Sequence, residues 1–109
     1  MRYMLLIHAP AGAPGDPGML EKHRVFAEEV GRRGRLVEGA ELAPPLAATT
    51  VRRRGDELLV TDGPHAESKE HLGGYYVISC DDLDEALEVA RAVPLLDGGS
   101  VEVRPFAEH

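Results

Sequence analysis

Cysteine is nearly absent from the 109 residues: Cys80 stands alone, so no internal disulfide can form and no thiolate cage for a metal can be built. Long apolar runs are missing too. The longest, such as Met4 to Ile7 and Tyr75 to Ile78, fall far short of the roughly 20 residues that cross a bilayer, which argues against a membrane partner. No charged, apolar and small-residue series opens the chain as an export signal does, so a cytoplasmic location is the expectation. Basic charge is in deficit: 12 Lys and Arg face 19 Asp and Glu, giving a net charge of −7 that repels phosphate backbones and disfavours nucleic acid as a partner. The one basic cluster, Arg52-Arg53-Arg54, falls at an expected hairpin tip and reads as a solvated turn. There is no glycine-rich phosphate cradle, because Gly73-Gly74 runs into a strand instead of opening a helix. Internal repeats, heptads and an interdomain linker are likewise missing, so residues 1–109 read as one domain without a cofactor or metal.

What is present is a series of well-punctuated elements. Arg2 to His8 alternates Tyr3, Leu5 and Ile7 with Met4, Leu6 and His8, apolar on both faces, as in a strand buried on two sides. A loop rich in proline and glycine follows, then a helix from about Met19 to Arg33, stopped at Gly34. Leu36 to Leu42 is a second strand, ended by Pro44-Pro45. Thr49 to Arg54 and Glu57 to Thr61 form a hairpin around Gly55-Asp56, with glycine first as a type II′ turn requires. The polar stretch Thr61 to Leu72 reads as a loop, and Gly73 to Cys80 is again a strand apolar on both faces. Asp82 and Glu85 open a second helix as a capping box, with the stripe Leu83, Ala86, Leu87, Ala90 and Val93, and Pro94 stops it. Ser100 to Arg104 alternates as an edge strand does.

This order is the α+β, ferredoxin-like split βαβ pattern with an inserted β-hairpin. It puts both helices on one face of the sheet and the two doubly apolar strands at its centre. The helices then cover one face only. Met4, Leu6 and one tyrosine of the Tyr75-Tyr76 pair, or their opposite numbers, are left on the other, so the chain is expected to pair as a homodimer with a barrel of two sheets between subunits.

Several stretches share a family likeness: Met1-Arg2-Tyr3-Met4-Leu5-Leu6-Ile7, Thr49-Thr50-Val51-Arg52, Val60 through Glu70, Leu72-Gly73-Gly74-Tyr75-Tyr76, and Gly99 through Pro105. Together they resemble the YCII-related proteins of the DGPF-domain subgroup. The resemblance implies a ferredoxin-like subunit in a dimeric α/β barrel and says little about chemistry, since most members have no assigned reaction. Some are encoded beside, or fused to, extracytoplasmic-function sigma factors. The fourth residue of the namesake loop is usually Phe and here is His65. In the wider group a helix-borne His and an Asp just before a Pro look like an acid-base pair; His23 matches the first, but Val93 precedes Pro94.

His23 lies in the middle of the apolar sector formed by Met19, Leu20, Phe26, Ala27 and Val30, so it points inward, either as a core histidine with a satisfied partner or as a titrating group at a pocket. The loop Asp62 to Glu70 gathers Asp62, His65, Glu67 and Lys69. Asp62 fits a turn role, and the charged residues after it fit a solvated rim. Alternatively the loop closes one end of a barrel, with Asp62 or Glu67 as a base and Lys69 as a cation for an anionic substrate. His8, at the end of a central strand, either holds that strand end or faces the same pocket. Two functions follow. One is a cofactor-independent small-molecule enzyme of the isomerase, lyase or dehydrohalogenase kind, with His23 and Asp62 catalytic and His65, Glu67, Lys69 and Tyr75 binding substrate. The other is a non-catalytic module that binds a small ligand or a regulatory protein in sigma-factor signalling.

Overall fold

The computed structural model describes residues 1–66 and 69–109. β1 (Arg2–Pro10), α1 (Met19–Arg32), β2 (Leu36–Glu41), β3 (Thr49–Arg54), β4 (Glu57–Asp62), β5 (Glu70–Ser79), α2 (Leu83–Arg91) and β6 (Ser100–Pro105) follow one another along the chain. Four strands form an antiparallel sheet in the order β2-β5-β1-β6, and β3 and β4 form a separate two-stranded sheet. This is a mixed α+β architecture consistent with a ferredoxin-like fold. The two strands with apolar residues on both faces, β1 and β5, take the central places because only there are both edges hydrogen-bonded. Among the described residues no helix is long and apolar enough to cross a membrane.

Local chemistry sets the ends of the elements. Gly34, at φ +72°, turns the chain out of α1 in the left-handed region that glycine enters without a steric penalty. The side chain of Asp82 accepts a hydrogen bond from the Glu85 amide at 2.9 Å and so caps α2. The reciprocal half of the expected capping box is replaced: the Glu85 carboxylate forms an ion pair with Arg35 at the start of β2 instead. Of the apolar stripe expected on α2, Ala86, Ala90 and Val93 are buried, but Leu83 is exposed and Val89 takes an inward place.

Both helices pack on the same face of the sheet, as the topology requires. Phe26 and Val30 from α1 and Ala86, Val89 and Ala90 from α2 join Tyr3, Leu5, Tyr76 and Ile78 in one core, with Leu5 and Ile78 fully buried. Tyr3 opposes Ile78 and Leu5 opposes Tyr76 across the β1–β5 ladder, so these residues share the helix-facing side. Met4 opposes Val77 and Leu6 opposes Tyr75 on the other side, where among the described residues no helix packs, although Val77 itself is buried.

The polar stretch after the hairpin departs from the expected loop. Glu70, His71 and Leu72 extend β5, pairing with Pro10, Ala9 and His8 beyond a shift in register between Ile7 and His8. Gly73 is the additional residue there, and a bulge absorbs it. The polar side chains concealed this pairing because a strand end at the sheet's periphery needs no apolar alternation.

The chain is larger than its mass calls for. Its radius of gyration is 15.7 Å, against about 13 Å for a compact chain of this length. Its accessible surface is 7838 Å², whereas a compact monomer of 11.8 kDa exposes about 5,900 Å².

Candidate functional site

A polar corner forms where α1 crosses the β2 edge of the sheet. His23 on α1 places Nδ1 2.8 Å from the hydroxyl oxygen of Tyr76 on β5. The two rings stack with centroids 5.9 Å apart, and Phe26, one helical turn on, tilts against the same tyrosine at 5.0 Å. Gly39 on β2 lies opposite Tyr76, and a Cβ there would come within 2.4 Å of the tyrosine ring. Glycine is thus required for the ring to lie flat against the strand. Gly39→Ala is expected to destabilise the fold by about 1–3 kcal/mol through overpacking, read by urea unfolding; an unchanged midpoint would mean that the ring has room to move.

Glu41 completes the corner. It opposes Gly74 in the β2–β5 ladder, two residues from Gly39 and therefore on the same side of the sheet as Tyr76. Its charge acts on His23. Burial lowers the histidine's pKa from its ordinary 6.5, while the Glu41 carboxylate and the Pro94 carbonyl oppose that shift and favour the protonated ring. A carbonyl only accepts, so Pro94 draws the ring N–H, and this network assigns Nδ1 as the acceptor for the Tyr76 hydroxyl. The phenol, 8% exposed, is itself pushed up by burial. At neutral pH the corner therefore holds a neutral imidazole and a neutral phenol beside a carboxylate.

The sign of the linkage follows. The unfolded chain takes up a proton on His23 near pH 6.5, above the folded value, so folding stability falls as pH drops through that interval and levels off below the folded pKa. His23→Gln is expected to flatten this part of the stability profile between about pH 7 and 5, measured by urea unfolding at fixed protein concentration. An unaltered slope would remove His23 as its source.

The other sequence candidates lie elsewhere. Asp62 ends β4 opposite Thr49 at the root of the hairpin and is exposed; the neighbouring turn is tied by Gly63 N–H to the Ala48 carbonyl at 2.8 Å and by the Thr50 hydroxyl to the Gly63 carbonyl at 2.7 Å. His65 is exposed, and its carbonyl accepts from Arg52 at 2.5 Å. Lys69 is exposed, with its carbonyl accepting from the Ala11 amide at 2.6 Å. Glu67 lies outside the described residues. Among the described residues, no hydrogen bond or ion pair joins His23 to Asp62, His65 or Lys69.

Tyr75 is on the opposite face of the sheet from His23, and its hydroxyl donates to Glu38 Oε1 at 2.7 Å. The tyrosine that reaches His23 is its neighbour, Tyr76. His8 also belongs to the helix-free face, where Nε2 stands 3.7 Å from Glu102. A groove of about 240 Å³ between α1 and α2 is lined by Phe26, Val30, Val89 and Pro94 among others, but not by His23.

Residues 1–108 match the YCII-related domain. The chain belongs to the YCII-related family. It is also 49% identical over 76 residues to an uncharacterised protein of Rhizobium meliloti (strain 1021), an alignment covering 68% of this chain and 61% of that relative, so the chain spans about three fifths of the curated relative it matches. In this YCII-related chain, Val93, just before Pro94, is 6% exposed and packs into the apolar core. The carboxylate beside the helix histidine comes from β2 as Glu41. Sequence reading passed over Glu41 and Tyr76; the available signal was the spacing Gly39-x-Glu41, which sets a residue without a side chain and an acid on one side of the same strand.

Proposed function

We propose that this protein is a homodimeric, cofactor-independent enzyme of the DGPF subgroup, moving protons on a small molecule by general acid-base chemistry of the isomerase, lyase or dehydrohalogenase kind. The observation that carries the reading is the 2.8 Å contact between His23 Nδ1 and the Tyr76 hydroxyl, a titratable pair set into an otherwise apolar layer. A neutral imidazole near physiological pH suits a general base, and the phenol that donates to Nδ1 orients the ring and can pass its proton to Nδ1 as its oxygen takes one from the substrate. Asp62, His65 and Lys69 form the exposed hairpin root and loop, which serve as the substrate-binding rim of a barrel mouth.

Pairing through the helix-free face supports the same reading, because Met4, Leu6 and Tyr75, each half-buried, leave that face apolar at its centre around the buried Val77. The surface excess of roughly 1,900 Å² over a compact monomer is more than the ~800 Å² that each partner contributes to a standard interface. Val93 favours a second reading, a non-catalytic module for a ligand or a sigma-factor regulator, since the usual acid before Pro94 is missing. A thermal-shift screen of metabolite pools separates the two. Catalysis expects a small-molecule ligand that stabilises the wild-type protein and is turned over. A ligand bound but never turned over supports the module, and no small-molecule binding at all contradicts the enzyme.

A further inference from the structure

We propose that the β3–β4 hairpin is an arm that packs its apolar face against the second subunit of the dimer; this rests on the homodimer proposed above. Every residue of β3 and β4 except Thr50 is exposed, and among the described residues the two strands pair only with each other. An isolated two-stranded hairpin is marginal in water, so a long one needs a surface to lie on.

The register gives this arm two unlike faces. Val51 opposes Val60 and Arg53 opposes Leu58, so Val51, Leu58 and Val60 share one side at 60%, 69% and 66% exposure, with Arg53 toward the tip and Thr49 and Asp62 at the root. The other side carries Thr50, Arg52, Arg54, Glu57 and Thr61 around Leu59. One apolar and one polar face is the pattern of a strand pair covered on one side.

Two observations identify a second copy as the cover. The excess surface of roughly 1,900 Å² leaves ample area for both a sheet face and an arm in a dimer interface. Charge agrees with that choice: Arg52, Arg53 and Arg54 balance Asp56, Glu57 and Asp62 within residues 49–62, so +3 and −3 cancel there and the whole net charge of −7 lies on the remainder of the chain. The neutral arm therefore meets the acidic remainder of a second copy without net repulsion, and Arg53, on the same side as Val51 and Leu58, is the arginine that faces it. The arm springs from the chain after Glu41 and ends at Asp62, so its seating fixes the hairpin root and, three residues on, His65. On this view, pairing orders one rim of the site.

The test combines hydrogen exchange across residues 49–62 with sedimentation of the wild-type protein and of Leu58→Asp/Val60→Asp. The hairpin amides are expected to be protected in the wild-type dimer and to lose protection on dilution to monomer. The double variant is expected to weaken dimerisation by roughly a hundredfold or more while circular dichroism stays unchanged. Protection independent of concentration, or hairpin amides that exchange freely in an intact dimer, would overturn the arm while leaving the dimer in place. A wild-type monomer at every concentration overturns both. The exchange measurement on the wild-type chain decides the matter even where the double variant does not fold.

Discussion

His23→Gln is expected to lower turnover by about 10²–10⁴-fold while leaving the folded dimer intact. Glutamine can still accept the Tyr76 hydroxyl through its side-chain carbonyl, so the buried phenol keeps a partner and the stack of Phe26 on Tyr76 persists. What it cannot do is take up and release a proton near neutral pH. The comparison with Tyr76→Phe separates chemistry from packing. The phenylalanine keeps the ring against Gly39 but strips His23 Nδ1 of its donor, so the histidine should titrate differently while the core stays packed. The assay is turnover of the ligand found by the thermal-shift screen. Activity that survives His23→Gln would place the proton transfer on another residue.

Leu6→Asp is the second large effect. Leu6 sits mid-strand on β1, between Tyr75 of β5 and Glu102 of β6, at the centre of the helix-free face. Burying a leucine in an interface contributes about 2–3 kcal/mol, and a two-fold axis makes each substitution count twice. The carboxylates also add like charge to a face that already carries Glu38 and Glu102. Dimerisation should weaken by about a thousandfold at least, with helix and sheet content unaltered, because Leu6 takes no part in the helix-side core. A sedimentation series over protein concentration reads the shift, and an unchanged dimer would mean that subunits meet by another surface.

Patterning disclosed most of the frame and little of the corner. The helix through His23, the central placement of β1 and β5, and the hairpin around Gly55 each carry a local signal: a 3.6-residue stripe, apolar residues on two faces, or a glycine with positive φ. Which of Tyr75 and Tyr76 faces the helices depends on register, a relation between strands far apart in the chain, and sequence left that choice open. Glu41 was hidden for the same reason, since an acid near a strand end reads as solvent-facing until its neighbour across the ladder is known. Asp62 and Lys69 stand close to glycine and proline in a polar stretch and are legible as candidates by composition alone; the fold sets them at the hairpin root and beside Ala11. A strand extension through Glu70, His71 and Leu72 escaped notice because its pairing partner, the end of β1, supplies the hydrogen bonds without any apolar demand.

The size excess, the helix-free apolar face and the projecting hairpin all point to one physical property: this subunit leaves surface uncovered that a second copy can cover. Multi-angle light scattering of the wild-type chain at micromolar concentration tests that property most directly. The account predicts a species of twice the 11.8 kDa chain mass. A stable particle of one chain mass, with Leu6 and Tyr75 left half-exposed, would contradict it.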